Sequence, residues 1–188
     1  MTDRRPGRPA RAAATGRAAI LDAGLRRVEA GEAISFRALG AELGVTAMAV
    51  RHHVGDSAAL LRAMTGRVFA GIAPSPDGDP RGRLRATLLS YVARAARHPR
   101  LMQLTLADPA LVGPDLSRLG EALAQDCAAL TGDPAAGGHL RDILVDQAHG
   151  TILALCHAGQ DAAALQARYA ATLDWLLDTA APAPRGGP

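Results

Sequence analysis

The segment SFRALGAELGVTAMAVRHHV, from Ser35 to Val54, holds the side chains whose spacing could do chemistry, and that chemistry is recognition of a polyanion. Arg51, His52 and His53 fall within one helical turn and can reach phosphate oxygens. Adjacent helical residues point about 100° apart, so His52 and His53 are poorly placed to share a metal ion, and no metal or cofactor is expected. Thr46, Ala47, Met48 and Ala49 lie at the N-terminal end of the same short helix. Small and apolar side chains there suit thymine methyl groups better than bidentate pairing with guanine. Arg37, one helix earlier, is then the candidate for hydrogen bonds to base edges, and Arg17, Ser35 and Ser57 complete the candidate contacts.

Presenting these residues requires two short helices that cross steeply. Such a crossing needs a small residue at the contact, a turn residue that tolerates positive φ, and apolar residues facing inward. Gly40, Gly44 and the set Leu39, Val45 and Val50 occupy those places. Ser35 is expected to cap the first short helix, which ends near Leu43, with Ile34 stapled onto Leu39. Thr46 caps the second, to about His53, with Val45 and Val50 in the same relation. Upstream, Thr15 is the expected cap of a helix running to about Ala30 with Ile20, Leu21, Leu25 and Val28 on one face and Gly31 as its stop. Asp56 caps a longer helix to about Gly71. The competing reading is an ordinary helical hairpin inside a bundle. Two capped and stapled helices joined by a glycine turn, in the basic part of the chain, favour DNA reading.

The charge distribution agrees with that choice. Residues 1–72 hold 11 Arg against 6 acids, whereas residues 73–188 hold 10 Arg against 12 acids, so the formal charge of +3 resides at the front. Aromatic residues make up only 3% of the chain, too few for a base-stacking surface, which leaves duplex DNA as the better polyanion. Arg4, Arg5 and Arg8 sit in a Gly- and Pro-punctuated arm, residues 1–14, that can follow the minor groove; an idle solvated tail is the plainer alternative. Cys127 and Cys156 have no metal-ligand spacing and read as reduced thiols.

Strand signals are nearly absent, so an all-α fold is expected. Residues 15–72 form the helix-turn-helix DNA-binding domain, built on three helices, and 73–80, APSPDGDP, read as a linker. Helical patterns follow at about 81–97, 99–107, 114–131, 137–158 and 161–180, within an effector-binding and dimerisation domain spanning 81–180; residues 181–188 form a disordered tail. Nothing resembles a membrane span or a secretion signal, and a cytoplasmic location is expected.

Residues 17–62 resemble the N-terminal domain of the TetR family of transcriptional regulators. The resemblance rests on R-A-A-I-L-D-A-G-L from Arg17, E-A-G from Glu29, L-G-V-T from Leu43, R-H-H-V from Arg51 and A-L-L from Ala59. The chain departs from the family pattern at Arg51, where Tyr is usual, at Val54 for Phe, and at Ser57, where Lys is usual. The usual Tyr and Lys hold phosphates, so Arg51 can compensate, while Ser57 offers only a neutral hydrogen bond.

Beyond residue 62 the resemblance is architectural. It implies a homodimer whose last two helices pair with those of a second chain, with Ile143, Leu144, Gly150 and Leu153 on one and Leu165, Tyr169, Leu173, Trp175 and Leu176 on the other. It also implies a pocket for a small, mostly apolar effector that releases the protein from a palindromic operator, as a repressor. Candidate lining residues are Leu88, Tyr91, Val92, Met102, Gln103, Leu104, Leu106, Leu119 and Leu123, with Asp146 and His149 as a polar pair at i and i+3. Plain core packing is the competing reading for each of them, and completion of a monomer core for the last two helices. An enzyme is the rival class, but the chain has no G-x-S-x-G, no H-E-x-x-H and no phosphate-binding glycine loop after a strand. An effector-free DNA-binding dimer is a second rival, although about 110 further residues exceed what dimerisation needs.

Overall fold

A computed structural model describes residues 16–72, 78–155 and 161–181. Among them are nine α-helices, one short 3₁₀ turn and no strand. The first four helices are α1 (Arg17–Glu29), α2 (Phe36–Leu43), α3 (Ala47–Val54) and α4 (Ser57–Phe69). The larger half contains α5 (Pro80–Ala95), α6 (Pro99–Ala107), α7 (Pro114–Thr131), α8 (Pro134–Leu155) and α9 (Ala162–Ala180). Arg4, Arg5 and Arg8, most of the linker, Cys156 and the tail beyond Ala181 lie outside the described residues.

Local chemistry sets the ends of the short helices. Ser35 Oγ accepts the Ala38 N–H at 3.1 Å, Thr46 Oγ1 the Ala49 N–H at 3.1 Å, and Asp56 Oδ1 the Ala59 N–H at 2.7 Å, each satisfying a first-turn donor without an intrahelical partner. Gly44 ends α2 at φ +68°, a conformation that a side chain disfavours. At Gly40 a Cβ would stand 2.7 Å from the Val45 carbonyl oxygen, so glycine is what lets the chain leading into α3 cross α2.

Several boundaries differ from the sequence reading: α4 ends at Phe69, short of Gly71, and α5 at Ala95, short of 97. Gly16, not Thr15, occupies the cap position of α1, and no side chain bonds there. The start of α8 lies at Pro134 instead of 137, because Asp133 accepts the N–H groups of Ala135 at 3.1 Å and Ala136 at 3.3 Å. A Cβ on Gly137 would come within 2.6 Å of the Ala128 backbone. That glycine permits close packing of α8 on α7.

Apolar side chains gather into two cores. One joins Ile20, Leu39, Val50, Leu60 and Met64 of α1 to α4, and the other joins Leu88, Met102, Leu123, Leu144 and Tyr169 of α5 to α9. Leu101 of α6 is buried in the first core, and its neighbour Met102 is buried in the second. α6 is further fastened to the front at both ends. Glu29, the last residue of α1, accepts the backbone N–H groups of Leu101 at 3.1 Å and Arg100 at 3.3 Å, supplying from another helix the cap that α6 lacks locally. Near its other end, Thr105 Oγ1 lies 3.1 Å from Thr65 Oγ1 of α4.

Candidate nucleic-acid interface and ligand cavity

The N-terminal end of α3 is open to solvent, with Thr46 and Ala47 exposed, Met48 72% exposed and Ala49 half-buried. On the inner side of the helix Val50 and Val54 anchor it in the core. Arg51, His52 and His53 are exposed, and the two imidazoles meet edge to face at 5.9 Å between ring centres. Ser35, Arg37, Ser57 and Arg17 are also exposed. Arg17, Arg37 and Arg51 form no ion pair or side-chain hydrogen bond among the described residues. Other arginines of the same half are occupied: Arg26 holds Glu42 at 2.8 Å and Arg67 holds Asp22 at 2.8 Å. Arg37 and Arg51, on α2 and α3, are thus open to a phosphate backbone without the breaking of an existing pair.

The larger half contains a partly open cavity of about 180 Å³ between α5, α6, α7 and α8. Its walls include Leu88, Tyr91, Met102, Leu106, Leu119, Leu123 and His149 from the sequence-derived set. Thr105, Val112, Leu116, Gly120, Val145 and Ala148, which the sequence reading missed, also line it. The remaining candidates lie elsewhere. Val92 is packed in the core away from the cavity surface. Gln103 and Leu104 are on another face of α6, exposed on an open groove shared with Val28, Gly31 and Ser57. Asp146 is exposed, so it is not a buried partner of His149. The partner is Tyr91, whose hydroxyl oxygen lies 3.1 Å from His149 Nε2. Burial pushes the His149 pKa below its ordinary value, with a smaller opposing influence from Asp146. Burial likewise keeps Tyr91 in its neutral phenol form, stacked on Phe69 at 5.0 Å between ring centres.

No family model matches this sequence, and no curated protein matches it. Solved structures do. A TetR variant from Acinetobacter baumannii AYE, in complex with minocycline, superposes with a TM-score of 0.69 at 16% identity, over 86% of this chain and 94% of the other. The fold is that of the TetR-type transcriptional regulators. A TetR regulator from Streptomyces coelicolor gives a TM-score of 0.64 at 21% identity, over 86% of this chain and 95% of that one. The multidrug-binding protein EbrR, complexed with imidazole, gives 0.60 at 22%, over 89% and 96%.

Within this TetR-type fold, the residues expected at a dimer interface divide into two groups. Leu144, Leu165, Tyr169 and Leu173 are buried within the chain itself, and Leu176 packs partly against the same core. The first four are spent on internal packing and present no surface to a second chain, while Leu176 keeps part of its side chain outside. Ile143, at 51% exposure, and Trp175, at 64%, remain outside, as do Leu153 and Gly150. A Cβ at Gly150 would meet nothing within 4 Å, so that face of α8 is open in the single chain. Ion pairs tie α9 to α5, Arg85 to Asp174 at 2.6 Å and Arg81 to Asp178 at 2.6 Å and Asp174 at 3.7 Å, and hold these outer faces in place. Among the described residues no helix is long and apolar enough to cross a membrane, and no cluster of His, Cys, Asp and Glu could hold a metal ion.

Proposed function

We propose that this chain is a sequence-specific DNA-binding regulator, acting as a homodimer and as a repressor, whose operator affinity is set by a small molecule in the α5–α8 cavity. The observation that carries the reading is α6, which places Leu101 in the DNA-binding core and Met102 in the cavity wall. A ligand that favours one position of α6 biases α1 and α4, on which α6 packs, and through them the helices that present Arg37 and Arg51, because an equilibrium moves only through differential binding to its states. Two proteins of the same fold are ligand complexes, one with minocycline and one with imidazole, which supports a cavity of this kind as a binding site. The outward Ile143 and Trp175 support pairing through α8 and α9, since exposed large apolar side chains on packed helices favour association. Two α3 helices presented by a two-fold dimer would read successive major grooves roughly 34–36 Å apart.

The test is selection from a random duplex pool at near-physiological salt, followed by titration of the enriched sequence. A palindrome should emerge. Arg37→Ala should relax its sequence, while Arg51→Ala should weaken all duplexes alike and flatten the slope of log affinity against log salt by about 0.9 for the phosphate lost. Absence of any enriched sequence would sink the proposal.

A further inference from the structure

The cavity walls specify a ligand class more narrowly than a regulator reading requires. Apart from the Thr105 hydroxyl and the Tyr91–His149 pair, the lining side chains are apolar, and none is Asp, Glu, Arg or Lys. A charged ligand would lose its hydration and find no counter-charge there. The volume sets the size. An apolar cavity of about 150 Å³ accepts benzene, so about 180 Å³ accepts one such ring with one or two small substituents.

The polar end sets the functional group. Thr105 is already engaged, donating to the Leu101 carbonyl at 3.0 Å and contacting Thr65. At 3.1 Å from His149 Nε2, the Tyr91 hydroxyl has one hydrogen-bonding position left whichever imidazole tautomer is present. If Tyr91 donates to Nε2, its oxygen can still accept; if Nε2–H donates, the phenol hydrogen is free to be given. A ligand hydroxyl, being donor and acceptor together, serves both arrangements. The open position on Tyr91 is the one polar valence that the cavity offers beyond those already engaged. This end of the molecule therefore has more hydrogen-bonding capacity than the chain uses.

We infer that the cavity takes an uncharged, single-ring-sized molecule whose apolar body packs between Leu88, Met102, Leu119 and Leu123 and whose one hydroxyl-like group bonds to Tyr91. This rests on reading the cavity as a ligand site, and it names the ligand class.

The test is calorimetry on the full chain with three probes of one shape: p-cresol, toluene and 4-methylbenzoate. Wild-type protein should bind p-cresol saturably, toluene about tenfold more weakly, corresponding to one hydrogen bond of about 1.4 kcal/mol, and 4-methylbenzoate more weakly than either. Tyr91→Phe keeps the ring on Phe69, so it should reduce p-cresol to the affinity of toluene while leaving toluene unchanged; retained toluene binding shows that the variant is folded. Equal binding of p-cresol and toluene by wild type, tightest binding of 4-methylbenzoate, or failure of p-cresol to bind would each overturn the inference. Duplex selection on the same preparation separates the readings. An enriched duplex without p-cresol binding removes the ligand class alone, whereas p-cresol binding without an enriched duplex removes the regulator and leaves the ligand class standing.

Discussion

Thr65 Oγ1 of α4 and Thr105 Oγ1 of α6 meet at 3.1 Å in the interior, each hydroxyl shielded from solvent, and join the α1–α4 half to the wall of the cavity. Thr105 has a single hydroxyl hydrogen and directs it to the Leu101 carbonyl at 3.0 Å, which makes Thr65 the donor between the two threonines. Thr105→Val should leave the Thr65 hydroxyl without an acceptor and destabilise the fold by about 1–3 kcal/mol. Replacing both threonines by Val removes donor and acceptor together and should recover most of that loss, since paired removal with retained shape is nearly neutral. Urea denaturation of the two singles and the double measures the coupling. Simple addition of the single effects would show that the threonines act independently.

The crossing of α2 and α3 rests on a missing side chain. Gly40→Ala should push a methyl group to 2.7 Å from the Val45 carbonyl oxygen, with the Ala47 N–H at 3.2 Å, both backbone atoms that cannot swing aside. The expected loss is about 1–3 kcal/mol of stability, the magnitude of overpacking, together with weaker operator binding as α3 tilts. Thermal unfolding checks the first and anisotropy titration the second. Wild-type stability in Gly40→Ala would show that the two helices cross with room to spare.

Burial of His149 makes the protein sensitive to acid in a definite direction. Its folded pKa lies below the ordinary value of 6.5, with the neutral Tyr91 facing it and Asp146 one turn away on its own helix opposing the shift. Between the folded pKa and about 6.5 the unfolded chain binds more protons, so stability rises with pH through that window. The contribution is fully present above about 6.5 and is lost as pH falls through the folded value. His149→Gln should flatten this dependence in urea titrations from pH 5 to 7.5. Equal slopes for wild type and variant would place the responsible proton elsewhere.

What the sequence made legible was local. Ser35, Thr46 and Asp56 could be assigned as caps because capping is decided within four residues, and Gly44 because a positive φ restricts the residue type. Leu88, Tyr91, Leu119 and Leu123 could be placed inward because helical periodicity marks an apolar face. Periodicity does not say what that face meets, and so Gln103 and Leu104 were assigned to a cavity that lies on another side of α6. His149 shows the same limit: a neighbour at i−3, Asp146, is visible in the sequence, while the actual partner, Tyr91, is 58 positions away. The sequence places Gly137 only at the start of its helix, without a packing role. A glycine pair can mean a break or a close approach, and only the Ala128 backbone beside it decides.

The last two helices are apolar on more than one side, which is why buried and outward residues could not be separated before the fold was known. Leu173 is 1% exposed, whereas Ile143 and Trp175 project from α8 and α9. Leu173→Ala should therefore lower stability by about 2–5 kcal/mol through lost packing. Ile143→Arg combined with Trp175→Ser should leave helicity and thermal unfolding of the single chain almost unchanged, because neither side chain is part of either core. Its effect should fall on assembly: placing a charge where two apolar faces meet imposes a desolvation penalty that a pair of chains cannot recover. Light scattering after size exclusion should then read one chain mass for the double variant and two for wild type. Operator affinity should fall with it, since each half-site would be bound alone. If the double variant keeps the mass of two chains, pairing runs through a different surface, and the exposed Trp175 needs another explanation.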